Sequence, residues 1–204
     1  MRILPRTSPA AFCSLALLLP LACSDLAHAT RDLIIAQPVT NNVLRFDGIT
    51  GAAKGAFIAA GAGGLVSPAQ MILGPDGKLY VLCGGSTQQI HRFHGATGAY
   101  EGIAVDAAST RMEGQSDFML MPSTNDFLVV NSGTLRRISR FNSTTGAFVS
   151  YYINSSGSTA ILFSPTSIII GPDGNYWISS SNGTNKVTRF SITNGARIND
   201  PFLE

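Results

Sequence analysis

The chain has 204 residues, 13% of them charged, and a formal net charge of +2. That balance leaves neither a basic stripe for nucleic acid nor an acidic block for cations. No apolar run approaches the ~20 residues of a transmembrane helix, and the length suits one domain with a real core.

The first predicted element is an export signal over residues 1–29. Arg2 and Arg6 give a basic n-region, Ala11 to Ala22 a short apolar core, and Ala27-His28-Ala29 a small-x-small cleavage site that leaves Thr30 as the mature start. The expected location is therefore periplasmic or extracellular. Leu21-Ala22-Cys23 offers a rival lipoprotein reading with a lipidated Cys23, against which stands Pro20, where such boxes carry an aliphatic residue. Without Arg2, Arg6 and Asp25 the remainder carries 12 basic and 11 acidic side chains. Cys83 is the only thiol of residues 30–204, so an internal disulfide is excluded there. It reads as a small buried hydrophobe on a strand rather than a reactive group.

From Leu33 onward one unit recurs. Val43-Leu44-Arg45-Phe46, Ile90-His91-Arg92-Phe93, Ile138-Ser139-Arg140-Phe141 and Val187-Thr188-Arg189-Phe190 place an arginine at 45, 92, 140 and 189, spacings of 47, 48 and 49 residues. Each unit divides into four short strands, a to d. Strand a is an apolar run (Met71-Ile72-Leu73, Phe118-Met119-Leu120, Ile168-Ile169-Ile170) that predicts burial on both faces. Gly74-Pro75-Asp76-Gly77 and Gly171-Pro172-Asp173-Gly174 then turn the chain, with Met121-Pro122-Ser123-Thr124-Asn125 a degenerate copy. Strand b follows (Leu33-Ile34-Ile35, Leu79-Tyr80-Val81-Leu82, Phe127-Leu128-Val129-Val130, Tyr176-Trp177-Ile178), and strand c carries Arg-Phe. The c–d hairpin ends on Gly51, Gly98, Gly146 and Gly195, six residues after the arginine in all four copies. Length varies only in the d–a connection. Four antiparallel strands per unit of this length describe the blade of a β-propeller.

Ser164-Pro165 before strand a, Gly171-Pro172-Asp173-Gly174-Asn175-Tyr176-Trp177 and Val187-Thr188-Arg189-Phe190 resemble NHL-type propeller repeats, more closely those of the virginiamycin B (streptogramin) lyase-like group. The resemblance covers nearly all of residues 30–204. It implies an all-β propeller of four-stranded antiparallel blades and leaves function open, because such repeats serve lyases, lactonases and binding modules alike. The family closes larger rings, whereas this chain carries about three and a half to four repeats and starts on strand b. An open arc, a fragment of a larger ring, is expected; a compact ring of four blades and closure by a partner chain are the alternatives. An arc exposes the apolar faces of its first and last blades to self-association.

Arg45, Arg92, Arg140 and Arg189 invite reading as a ring of anion binders. Each, however, shares a strand face with the aliphatic residue two positions earlier, which favours an inter-blade role with the stem packed and the guanidinium bonded to carbonyls or acids. Phe46, Phe93, Phe141 and Phe190 read as core on the same grounds. His91 and His94 lie on or beside an outer strand c and are expected at the surface. The lyase-like enzymes of the resemblance use a histidine with a metal and carboxylates, and no histidine here matches that position.

The candidate ligand site is the channel mouth. Aligning the repeats puts Gln70, Asp117 and Ser167 at one equivalent place before strand a, with Glu113 in the adjoining d–a loop. Such oxygens suit Ca²⁺ or Mg²⁺, although two carboxylates make a thin cage and no cofactor is otherwise evident. The plainer reading is polar capping of a water-filled channel. The functional expectation is an exported binding or scaffold module for a small molecule, glycan or protein, without an evident catalytic constellation. The alternative, resting on the resemblance alone, is a metal-assisted lyase or lactonase-like enzyme with its site at the central channel.

Overall fold

The computed structural model describes residues 32–84, 87–106, 111–134, 136–154, 162–181 and 186–198. The expected export signal and Cys23 lie outside them. Among the described residues fourteen strands form four sheets. The first holds β1 (Leu33–Gln37), β2 (Asn42–Phe46) and β3 (Ala53–Ile58), and the second β4 (Pro68–Leu73), β5 (Lys78–Cys83), β6 (Gln89–His94) and β7 (Tyr100–Val105). The third holds β8 (Gln115–Leu120), β9 (Phe127–Asn131), β10 (Arg137–Phe141) and β11 (Phe148–Asn154), and the fourth β12 (Pro165–Ile170), β13 (Tyr176–Ser180) and β14 (Val187–Phe190). Every sheet is an antiparallel meander of sequence neighbours. The first sheet therefore contains strands b, c and d, and the last a, b and c with a bridge from Phe190 to Arg197 where d begins.

The registers coincide from blade to blade. The repeated arginines pair across to Ile34, Tyr80, Leu128 and Trp177 on strand b. The hairpin glycines Gly51, Gly98, Gly146 and Gly195 take φ of 71°, 71°, 70° and 69°, the left-handed region open to glycine without a Cβ penalty. In the a–b turns Gly77 and Gly174 sit at 74° and 76°, and Asn125 substitutes for them at 60°.

The core lies between blades rather than within them. Leu79, Val81 and Cys83 of β5 face the first blade, where they meet Val43 and Ile58, while Tyr80 and Leu82 face Phe118, Phe127 and Val129 of the third. Leu128 and Val130 of β9 turn the other way, onto Tyr176 and Ile178. Alternation along an extended strand sends successive side chains into successive junctions, so strand b is buried on both faces.

That corrects the expectation for strand a. Leu73 is 63% exposed and Ile169 56%, because strand a is an edge of its sheet and beyond that sheet touches mainly its counterparts in neighbouring blades (β4 on β8, β8 on β12). No comparable contact among the described residues joins the fourth sheet back to the first, and the blades form an open arc that leaves the inner face uncovered. Phe93, Phe141 and Phe190 are fully buried as expected; Phe46 is only half-buried, since it points to the free side of the first blade.

Candidate functional site

A bulge precedes the polar position in all three copies of strand a, and Asp117 and Ser167 pair with equivalent residues, Val130 and Ser179, of their own strands b. The structure brings these two together. Ser167 Oγ donates to Asp117 Oδ2 at 2.7 Å and the Ile168 N–H to the same oxygen at 3.0 Å, while the Phe118 N–H occupies Oδ1 at 2.8 Å. Asp117 is 7% exposed. Its carboxylate fastens the third blade to the fourth, and a cation there would have to displace three donors. Gln70 occupies the equivalent place on β4 and is exposed. Glu113 points elsewhere, accepting the Thr134 hydroxyl at 2.7 Å, while its own N–H donates to Asn131 Oδ1 at 2.8 Å. Among the described residues no group of three or more His, Cys, Asp and Glu is placed to hold a metal ion.

The arginines do bond to acids, but inside their own blades. Arg45 pairs with Asp32, Arg140 with Asp126 through Nε at 2.7 Å, and Arg189 with Asp173 at 2.9 Å. The inter-blade role expected of them is thus taken by their apolar neighbours on strand c, and each guanidinium ties strand c to the chain entering strand b.

Arg92 breaks this rule. The register puts Asp32, Lys78, Asp126 and Asn175 at one position, just before the first strand-b residue opposite the repeated phenylalanine. Where the first blade has Asp32 bonded to Lys54 of strand d, the second has Lys78 bonded to Glu101 of strand d at 2.7 Å: the pair is reversed. Arg92 Nε then lies 4.0 Å from Glu101 and is buried without a hydrogen-bond partner, while Nη2 donates to the Glu101 carbonyl at 3.3 Å. Beside it a cleft of about 320 Å³ opens between the second blade (Asp76, Lys78, Arg92) and the third (Asn125, Ser143, Thr144). Tyr80 forms its floor, and burial together with a 2.8 Å hydrogen bond to Asp76 pushes the phenol up to about 12. The equivalent space one junction on is lined by Pro122, Ser123, Ile192 and Thr193, without a charged group. Sequence reasoning missed this cleft, although the signal was present: Lys78 stands where two other repeats have aspartate.

His91 is the other correction. It is 1% exposed rather than at the surface, its Nε2 3.0 Å from Gln89 Oε1 and its ring against Tyr100 and Phe93. Desolvation lowers its pKa below the ordinary 6.5. It faces the first junction because strand c, like strand b, alternates between two packed sides. His94 is exposed. Cys83 is fully buried in the same junction, and desolvation raises its thiol to about 11, which leaves it a packed hydrophobe with little thiolate character.

No protein-family model matches the sequence, and neither does any curated protein. Solved structures do match. A protein of unknown function from Bacteroides thetaiotaomicron VPI-5482 superposes with a TM-score of 0.61 at 16% identity, over 83% of this chain and 40% of that one. Virginiamycin B lyase from Staphylococcus aureus gives 0.59 at 14%, over 85% and 54%, and a chain of the nidogen/laminin complex 0.63 at 15%, over 85% and 60%. The chain thus spans less than two thirds of each of these relatives. At such identities the likeness carries the fold, and it agrees with the resemblance read from the Gly-Pro-Asp-Gly and Arg-Phe segments: the chain is a β-propeller repeat protein with the blade architecture found in virginiamycin B lyase.

Proposed function

We propose that the chain acts as a binding or scaffold module of an exported β-propeller, with its ligand seated in the cleft between the second and third blades. The observation that carries this reading is the contrast between two places. Before strand a the Asp117 carboxylate is engaged by three donors and joins the third blade to the fourth, whereas the cleft between the second and third blades is open and lined by Asp76, Lys78, Arg92, Asn125, Ser143 and Thr144. A concave site with a few convergent polar groups is where a small ligand gains both contact area and orientation. Export rests on the signal pattern of residues 1–29; N-terminal sequencing of the protein recovered outside the cytoplasm should begin at Thr30.

The functional test is to titrate the purified protein with small-molecule and glycan mixtures in Ca²⁺, Mg²⁺ or chelator, and to recover the bound compound. Ligand retained unchanged supports a binding module. Conversion of a lactone or a streptogramin that requires the divalent cation, and disappears in Asp117→Ala, would establish the metal-assisted lyase instead.

A further inference from the structure

Strand alternation gives every blade two faces, and the register fixes which residues belong to each. Toward the preceding blade lie Leu79, Val81 and Phe93 in the second blade and Tyr176, Ile178 and Phe190 in the fourth, all at most 2% exposed. Toward the following blade lie Tyr80, Leu82 and Ile90 in the second blade and Leu128, Val130 and Ile138 in the third, at most 4% exposed. Two faces lack such cover among the described residues. The preceding side of the first blade carries Leu33 and Ile35, 55% and 40% exposed, with Phe46 half-buried. The following side of the fourth carries Ile169, 56% exposed, and half-buried Trp177 and Val187 around a hollow of about 130 Å³.

These two faces are the two halves of one junction. Leu33, Ile35 and Phe46 occupy the register places of Phe127, Val129 and Phe141, while Ile169, Trp177 and Val187 occupy those of Ile72, Tyr80 and Ile90. Between the second and third blades the latter two sets are packed together, Tyr80 edge-on to Phe127 with 4.9 Å between ring centroids. The junctions the chain already makes therefore specify what fits each uncovered half: the other half, on a second copy. Pairing like with like would set Leu33 against Leu33, an arrangement found in no junction of the molecule. A contact between unlike faces either closes into a ring or runs on as a filament. The chain spans 54% of the lyase on which it superposes, so two copies supply the length of one such chain.

We propose that two copies of the chain pair head to tail, the fourth blade of each seated on the first blade of the other, to form one closed ring. The pairing is independent of what the cleft holds. It is also reversible. Ser179 stands where Leu82 and Val130 fill the interior junctions, and two free molecules give up motion that blades within one chain do not. The single chain therefore predominates on dilution.

Light scattering on the full chain across a dilution series tests this. The mass should rise with concentration from one chain to two and stop there. Ile35→Lys and Ile169→Lys, both at exposed positions, should each weaken pairing about tenfold or more, because an unpaired ammonium would be seated in an apolar junction. An equimolar mixture of the two variants keeps one intact junction and should regain the doubled mass that neither reaches alone at that concentration. Amide exchange of the unmodified chain gives a readout that needs no variant: β1 and β14 should slow as concentration rises, and β5 and β9 should not change. A single-chain mass at every concentration overturns the proposal, as does exchange in β1 and β14 that ignores concentration, since the faces are then covered from within or not at all. A mass that grows past two chains overturns the closed pair. Loss of pairing with only one of the two substitutions, or no recovery in the mixture, marks a contact between like faces and overturns the head-to-tail arrangement.

Discussion

Gly51 and Gly98 hold the same place in successive blades, at the same φ of 71°, and differ in what lies opposite them. A Cβ on Gly98 would come within 2.1 Å of the Phe57 carbonyl on strand d of the preceding blade, and one on Gly146 within 2.3 Å of the Ala104 carbonyl; a Cβ on Gly51 would meet nothing within 4 Å. In interior blades the glycine is needed twice, for the hairpin and for the approach of a neighbour, and in the first blade once. Phe46 and Phe141 tell the same story, half-buried against fully buried. The repeat therefore encodes the junction as well as the sheet, and the first blade keeps the motif where nothing described covers it.

Substitutions in matched pairs sharpen this contrast. Gly146→Ala should cost about 4 kcal/mol or more, at the upper end for a single change, because strain and a backbone collision add. Gly51→Ala should cost about 1 kcal/mol for the left-handed backbone alone. Urea denaturation of both reads the difference, and equal losses would break the account of the junctions. Phe141→Ala should follow at about 3–5 kcal/mol and Phe46→Ala at about 1 kcal/mol, by the same measurement. At the channel mouth Asp117→Ala should cost about 2 kcal/mol, since it strips the Ser167 hydroxyl and the Ile168 N–H of their acceptor, whereas exposed Gln70→Ala should stay within about 0.5 kcal/mol.

The smallest effect concerns His91, in the junction between the first and second blades. Burial favours its neutral form and lowers its pKa from 6.5, so below that pH the unfolded chain takes up the proton more readily than the folded one. Its contribution is complete above about pH 6.5 and shrinks as the pH falls. Melting temperatures between pH 8 and pH 5.5 should show the decline, and His91→Gln should flatten it.

What could be read in the sequence was whatever repeated. The hairpin glycines, the turn position shared by Gly77, Asn125 and Gly174, and the equivalence of Gln70, Asp117 and Ser167 all follow from constant spacing, and all are met in the structure. Burial was harder. Met71-Ile72-Leu73 and Leu79-Tyr80-Val81 are equally apolar runs, and composition does not tell which of them is flanked by blades on both sides. The acids that hold the arginines come from before strand b, from the a–b turn or from strand d, with no fixed spacing, so their partnership was visible only in three dimensions. The spacing that aligns Asp117 with Gln70 and Ser167 does not carry its engagement with the next strand, and an outer position of strand c in the sheet does not reveal that the neighbouring blade covers His91.

Because each sheet is a meander of consecutive strands, every backbone ladder closes locally, and the blades are joined by side chains, through packing and through hydrogen bonds such as those of Asp117 and Ser116. Such a molecule behaves as a short one-dimensional array, in which each unit is stabilised by its nearest neighbours. Amide exchange should accordingly be slowest in β5 and β9, which have a neighbour on either side, and rise toward β1 and β14, the chain fraying from its ends inward rather than opening through its middle.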